Sequence, residues 1–304
     1  MLVRNITVGV LLVCFMAWIP SAWADAAEAG KACEEAKALR AKGDFEGALV
    51  AFKAAAKADP DNKEYFQECA LLSRVLKIRE QFKTEQDMDL WGRMGRGLYN
   101  YYRQYDINDE ALVIATTLYA KMGCGDSAAL VADVQLALGK DAEAAELLGG
   151  VDEAKCTPRS NLLLGVALAR LGKAEEAKAI ATKFEMPKEC DAELCFDAAR
   201  LYALVGEQAK AIESLQCTFE NTPATWLDDV KAEAKKCPDF KSITGEEAFA
   251  KVLTTESKVK GCGGCSSSKS CSSKDKGGCS KSCEKDKKEG CSGHDHDKKG
   301  NDKE

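Results

Sequence analysis

The sequence predicts an all-α solenoid, a stack of antiparallel helix pairs, and the main reason is a repeated turn. A turn of Leu or Val, Gly and a charged residue, followed by an alanine-containing helix, occurs around Gly139, Gly172 and Gly206, and a related copy occurs around Gly43. Each copy has an alanine five positions after its glycine: Ala48, Ala144, Ala177 and Ala211. The period of 33 or 34 residues indicates units that bury their apolar faces by stacking on one another.

Apolar residues recur at helical spacing in the first part of the chain, and glycines or Asp- and Asn-rich segments interrupt them. One pair is predicted at residues 26–42 and 45–58, and another at residues 87–104 and 109–121. Residues 63–83 between these pairs contain no glycine turn. They are therefore either a degenerate second repeat or a single bent helix.

Three clearer pairs follow, at residues 125–149, 158–184 and 191–220. Residues 222–236 are predicted to form the terminal capping helix that a stacked array needs, and residues 246–253 to form a short last helix. The array would thus contain about five helix pairs.

The two ends of the chain differ in composition from the predicted solenoid, which spans residues 25–257. Residues 1–24 combine Arg4, an apolar run and a small-residue site ending at Ala24, the pattern of a secretory signal peptide. The apolar run is short for a bilayer span. We therefore expect an exported protein, periplasmic or extracellular, with no stable membrane insertion after cleavage. Residues 258–304 have too few apolar side chains to build a core and are predicted to be a disordered tail.

Charge and histidine content argue against two classes of function. The net charge of −6 combines an acidic body with a basic tail, and an acidic body disfavours nucleic acid as a partner because duplex affinity comes mainly from neutralised phosphates. The only histidines are His294 and His296, so the body has no histidine general base. Phosphate-binding glycine loops and metalloprotease motifs are missing from the sequence. We predict that the protein is not an enzyme.

The first helix pair resembles a tetratricopeptide repeat (TPR). Small residues stand where the two helices must approach closely, at Ala36 and Ala48, and Phe52 and Ala55 match later positions of the family pattern. The resemblance covers about residues 28–240. It implies a right-handed superhelix whose first helices line a concave groove, and a scaffold that binds a protein or peptide there, although this fold carries many unrelated binders.

Arginines are concentrated on the predicted first helices of the later pairs, whereas the second helices use lysine. In the family that the sequence resembles, groove positions fall on the following residues: Arg93, Arg96, Asn100, Arg103, Arg159, Arg170 and Arg200. Because arginine suits bidentate capture of carboxylates, the partner implied is a protein or peptide with acidic segments. The alternative is a solubilising face whose arginines pair with nearby Glu and Asp.

Eight cysteines lie in the predicted body, an even number for an oxidising compartment, so disulfides are expected. Cys195 and Cys217 lie 11 residues on either side of Gly206 and should face each other across that hairpin. Cys33 and Cys69 fall in the first helices of neighbouring repeats and form a second candidate pair. The alternative is that the cysteines are buried and reduced.

Three further cysteines, Cys124, Cys156 and Cys190, lie at nearly equivalent junctions between repeats. Equivalent positions in adjacent repeats are separated by about a helix diameter or more, which exceeds disulfide reach. The sequence therefore gives only weak grounds for a bridge between Cys124 and Cys156.

The tail is rich in potential soft-metal ligands. They are Cys262, Cys265, Cys271, Cys279, Cys283, Cys291, His294 and His296. Thiolates with imidazoles suit zinc or copper(I), and metal binding can fold an otherwise unstructured segment. A metal-sequestering protein is therefore the alternative function. Disulfide cross-linking, or no specific role, are the other interpretations of this segment.

Overall fold

The structure is a computed structural model that describes residues 21–187 and 191–259. Residues 1–20 of the predicted signal peptide lie outside the described residues, as do Cys190 and all eight predicted metal ligands of the tail. Predictions about export, tail disorder and metal binding therefore remain predictions. The first described helix begins at Ser21, upstream of the predicted cleavage site.

The described residues contain thirteen α-helices and no strand. In chain order the helices are α1 (Ser21–Ala41), α2 (Phe45–Ala58), α3 (Lys63–Thr84), α4 (Met88–Gln104), α5 (Asn108–Met122), α6 (Gly125–Ala137), α7 (Asp141–Gly149), α8 (Pro158–Arg170), α9 (Ala174–Lys183), α10 (Ala192–Leu204), α11 (Gln208–Asn221), α12 (Leu227–Lys236) and α13 (Glu247–Val252). Two short 3₁₀ turns lie at Glu153–Lys155 and Pro238–Phe240. None of the helices in the described part of the chain is long and apolar enough to cross a membrane.

The predicted pairs are confirmed as five antiparallel hairpins, α1 with α2 and then α4 with α5 through α10 with α11. The segment that the sequence left open is one continuous helix, α3. It begins where Asn62 Oδ1 accepts a hydrogen bond of 3.1 Å from the Glu64 amide, a side-chain cap of the usual kind. With no residue in the left-handed conformation inside it, α3 has no turn at which to fold into a second hairpin.

Four of the hairpins turn on the repeated glycines, which all have positive φ: Gly43 (78°), Gly139 (72°), Gly172 (77°) and Gly206 (84°). Each turn closes the preceding helix with a hydrogen bond from the residue after the glycine to a carbonyl five positions earlier, as from the Lys173 amide to Leu168 O at 2.9 Å. This is the Schellman motif, which favours glycine because it has no Cβ. The alanines five positions later are fully buried between the paired helices.

The α4–α5 hairpin has the same turn without a glycine. Asp106 occupies the left-handed position with φ 56°, the Ile107 amide donates to Tyr102 O at 2.8 Å, and Ala111, five residues after Asp106, is fully buried. Asp106 also lies one period before Gly139, so the repeat extends to this hairpin. The predicted all-α array of antiparallel helix pairs is confirmed in the described residues.

Two buried apolar clusters hold the array together, and α6 belongs to both. The first cluster is aromatic-rich and is formed by α1–α5, and the second is rich in alanine and leucine and extends from α6 to α13. Helix α6 gives Leu130, Val131 and Val134 to the first cluster, and Ala128, Ala129, Ala132 and Leu136 to the second. Burial on both sides of one helix links the two halves of the described chain.

Candidate binding surface

Helix α4 carries four of the predicted groove residues, and the last of them is ion-paired. Arg103 Nε donates to Asp133 Oδ2 on α6 at 3.0 Å, and Arg103 Nη1 donates to Asn108 Oδ1 at 2.6 Å. The Tyr99 hydroxyl donates to the same Asp133 oxygen at 2.6 Å. Arg103 thus connects neighbouring first helices, and its charge is paired with Asp133.

The pairing continues onto α8 and α10. Arg159 donates to Asp197 Oδ2 at 2.9 Å and to Glu193 Oε2 at 2.6 Å. Arg200 donates to Asp197 Oδ1 at 3.1 Å and approaches Asp133 Oδ1 at 3.7 Å. Arg200 therefore bridges two aspartates that lie two repeats apart, Asp133 on α6 and Asp197 on α10.

The 3₁₀ turn at Pro238–Phe240 closes this network. Asp239 accepts two parallel hydrogen bonds from Arg170, at 2.8 and 2.9 Å, and a third from Arg200 at 2.8 Å. Its side chain is 2% exposed, and the adjacent Phe240 is fully buried. Arg170 also donates to Leu136 O at 2.8 Å. The C-terminal segment is thereby tied to the helices that precede it.

Two effects oppose each other in setting the pKa values of the aspartates in this network: burial raises them, and pairing with arginine lowers them. Burial alone would raise the pKa of Asp133, but three surrounding guanidinium groups hold it well below the ordinary value. The pKa of Asp239 is also lowered against the effect of burial, by hydrogen bonds from Arg170 and the charge of Arg200. For Asp197 burial prevails and raises the pKa, although two arginines act against it. Asp133 and Asp239 are therefore charged in the folded protein.

These contacts decide which predicted arginines remain accessible. Four predicted groove arginines pair with carboxylates of this chain: Arg103, Arg159, Arg170 and Arg200. Pairing within the chain is the alternative named from the sequence, but a solvent-exposed face was expected, whereas these ion pairs are largely buried. The sequence offered a partial signal for it, because two of the partner aspartates lie about one repeat downstream of an arginine: Asp133 is 30 residues from Arg103, and Asp197 is 38 residues from Arg159. Asp239 is reached only through the fold of the C-terminal segment.

The other three predicted groove residues are exposed. Arg93, Arg96 and Asn100 lie along α4 at helical spacing, and none of them has an ion-pair or side-chain hydrogen-bond partner among the described residues. Arg93 and Arg96 line a shallow cleft of about 220 Å³ between α4, α5 and α6. The rest of the lining is mostly apolar and consists of Met88, Asp89, Gly92, Leu118, Met122, Ser127 and Leu130.

The structure joins one predicted cysteine pair and leaves the other as thiols. Cys195 and Cys217 form a disulfide across the α10–α11 hairpin, with their Cα atoms 5.9 Å apart, inside the usual range. Cys33 and Cys69 are both free, and that pairing is not formed. Cys33 lies beside Lys37 and Glu64, whereas Cys69 lies one turn further along α3, beside Lys53 of α2.

Other candidate sites in the described part of the chain are limited. No group of three or more His, Cys, Asp or Glu side chains within residues 21–187 and 191–259 could hold a metal ion. A second shallow hollow, of about 430 Å³, lies among α7, α8 and α9 and is lined by alanine, leucine and glycine with Glu146, Lys173 and Glu176. It has no unpaired arginine, and the sequence analysis did not single it out.

Comparison with known proteins gives only distant similarity. No family model matches the chain, and no curated protein matches it. Among solved structures, a tetratricopeptide repeat protein from Parabacteroides merdae ATCC 43184 is 19% identical, covers 74% of this chain and 97% of its own, and has a TM-score of 0.35. YrrB, described as a TPR protein with an unusual peptide-binding site, is 18% identical, covers 66% of this chain and 90% of its own, and has a TM-score of 0.29. At these values the functional conclusion has to come from this chain's own geometry.

Proposed function

We propose that the protein is a scaffold that binds a protein or peptide with acidic segments on the exposed part of α4. The observation that carries this proposal is the contrast among the arginines. Four are satisfied by carboxylates of the same chain, whereas Arg93 and Arg96 point outward beside an apolar cleft with no partner among the described residues. An unpaired guanidinium next to desolvating surface is a favourable place to bind a carboxylate.

The composition of the cleft narrows the partner. Met88 and Met122 are 45% and 44% exposed and border the same cleft as Arg93 and Arg96. Exposed methionines suit adaptable apolar contacts. The partner we propose therefore presents an apolar side chain next to one or more carboxylates. Asp89 on the rim would disfavour a second negative charge at that end.

Charge reversal tests the proposal. The double variant Arg93→Glu and Arg96→Glu should weaken binding of a fluorescent Glu- and Leu-containing peptide by at least about tenfold, because a hydrogen bond to a charged group contributes roughly 1.5–3 kcal/mol. Binding should also weaken as salt is added, because these charges are exposed. Fluorescence anisotropy measures both effects.

A matched control is Arg74→Glu, which reverses an exposed arginine on α3 that has no described ion pair. This variant should bind the peptide like the unmodified protein, and circular dichroism should show the same helix content in all three. Equal binding by the double variant and the control would refute the proposed site. A peptide with Lys in place of Glu should not bind.

We keep a soft-metal function of the tail as a second proposal because eight thiol and imidazole donors lie within residues 262–296. The reduced full-length chain should then bind zinc or copper(I), and a chain ending at residue 259 should not. Equal metal binding by the two chains would exclude the tail as the site. Export to an oxidising compartment, as the first 24 residues suggest, would compete with this function by oxidising the thiols.

A further inference from the structure

We propose that Cys124 and Cys156 form a reversible disulfide that joins the α6–α7 hairpin to the α8–α9 hairpin. Each cysteine stands in the turn directly before a first helix: Cys124 caps α6, and Cys156 precedes the cap residue of α8. Both are free and partly exposed in the structure. The proposal depends on how closely the two turns approach each other.

Gly125 shows that the approach is close. A Cβ atom added to it would lie 2.3 Å from Lys155 O and 3.0 Å from Thr157 N, the two backbone atoms that flank Cys156. Backbone therefore meets backbone at this point, and only glycine leaves the necessary space. Cys124 is one residue away from the contact, a step of about 3.8 Å between Cα atoms. The two cysteines therefore flank one backbone contact, and a disulfide between them needs a separation of roughly 4.4–6.8 Å between Cα atoms.

The sequence disfavoured this pair because equivalent positions in adjacent helices are too far apart. That distance does not apply to the two turns in which these cysteines lie. Equivalent positions inside adjacent first helices are separated by about a helix diameter. Cys124 and Cys156 lie instead in the turns before α6 and α8, where Gly125 lets the chains come together. The general spacing of repeats therefore does not apply at this junction.

Forming the bridge turns both sulfurs away from their present partners. The Cys124 sulfur lies 3.4 Å from the Ser127 hydroxyl, and the Cys156 sulfur lies 3.5 Å from Asp152 O and 3.8 Å from Val151 O. These are weak hydrogen bonds of the reduced thiols. Rotation about the Cα–Cβ bonds releases both sulfurs from these contacts.

The reaction is thiol–disulfide exchange with an external disulfide such as oxidised glutathione. The thiolate of one cysteine attacks a glutathione sulfur and releases one glutathione thiolate, which takes up a proton. The second cysteine, as thiolate, then attacks the mixed disulfide and releases the second glutathione. The protein loses two electrons and two protons, and two molecules of reduced glutathione carry them.

Tryptic mapping tests the proposal on the full-length chain. Cleavage after Lys121, Lys140, Lys155 and Arg159 gives two peptides, residues 122–140 and residues 156–159, that contain one cysteine each. After oxidation with glutathione disulfide and blocking of free thiols, mass spectrometry should find these two peptides linked, and reduction should separate them. If residues 122–140 are recovered as blocked thiol, or linked to a peptide carrying another cysteine, the proposal is wrong.

A stability measurement adds a second criterion. Oxidation should raise the Tm of the unmodified protein by about 5 °C, because the bridge closes a long loop in the unfolded chain. The Cys156→Ser variant should lose this gain, whereas Cys69→Ser, which changes another free thiol, should keep it. A gain of the same size in Cys156→Ser would show that another bridge is responsible and would overturn the assignment.

Discussion

At the scale of single residues, Asp133 is the centre of the buried network. Its side chain is 12% exposed and lies within reach of Arg103 and Arg200, with the Tyr99 hydroxyl on one oxygen. Removing one member of such a group leaves its partners buried without compensation. The fixed positions of the first helices therefore depend on a charge that the sequence alone would assign to a solvated helix face.

We expect Asp133→Asn to lower the free energy of unfolding at neutral pH by about 3 kcal/mol, and the loss to shrink in acid. The pKa values of Asp133 and Asp239 in the folded protein lie below the ordinary value of 3.8. The stability they contribute is complete above that value and is lost as the pH falls through the depressed pKa. Asp197, whose pKa is raised, acts in the opposite direction and offsets part of this loss.

Urea unfolding of both proteins between pH 7 and about pH 2.5 measures this dependence. The unmodified protein should lose more stability than Asp133→Asn over this interval, because the variant has one depressed carboxyl fewer. A difference between the two proteins that stays constant with pH would show that the Asp133 charge is not the source of the stabilisation.

At the scale of elements, the sequence predicted the turns better than the junctions. Glycine is favoured at each of these turns because the turn residue has a positive φ. The hairpins at Gly139, Gly172 and Gly206 could therefore be predicted from the glycine spacing. The hairpin at Asp106 was placed correctly, but it was not recognised as a copy of the motif because aspartate takes the place of glycine. The approach at Gly125 was missed because it depends on two turns that are distant in sequence.

The shared turn predicts opposite effects for two matched substitutions. Gly172→Ala should lower the free energy of unfolding by about 1–2 kcal/mol, the cost of a Cβ in the left-handed region; nothing lies within 4 Å of that Cβ, so packing does not contribute. Asp106→Gly should raise the free energy of unfolding by up to about 1 kcal/mol, because relief of the φ of 56° exceeds the entropy that glycine adds. Urea unfolding at neutral pH measures both changes.

The two variants share only a change at the left-handed position of the turn. The opposite directions expected for their free energies of unfolding therefore serve as the control. If Asp106→Gly also destabilises the protein, the Asp106 side chain has a role beyond its backbone conformation. If Gly172→Ala has no effect, the left-handed residue is not needed to close that hairpin.

At the scale of the whole described chain, the groove predicted from the sequence stays a prediction, and the structure shows how its arginines are paired. The arginines do lie on first helices, as the periodicity indicated. Their availability depends on the carboxylates that pair with them. Helical spacing within one element shows the pair of Asp197 with Arg200 on α10, but it contains no information about partners in other repeats or in the C-terminal segment, such as Asp239. The exposed set, Arg93, Arg96 and Asn100, is what remains after that internal pairing.

The last prediction concerns cooperativity, which follows from the position of α6 in both apolar clusters. A repeat array unfolds in separate steps when the interface between neighbouring units is weak relative to the units themselves. Here the interface contains α6, which is buried on both sides, and the ion pair of Arg103 with Asp133 together with the approach of Arg200 to Asp133. We therefore expect the two halves to unfold together.

Two tryptophans report on the halves separately when the chain begins at residue 25, where Trp91 and Trp226 are the only ones. Trp91 is buried against Phe82 in the first cluster, with ring centroids 4.8 Å apart, and Trp226 precedes α12. The Trp226→Phe variant keeps only Trp91, and the Trp91→Phe variant keeps only Trp226. In each variant, the urea midpoint from tryptophan fluorescence should equal the midpoint from circular dichroism, which follows helix content. Adding Ala132→Pro, which breaks α6 at a cost of about 3 kcal/mol, should lower both midpoints. Two separate midpoints without that substitution would mean that the halves fold independently and that α6 does not couple them.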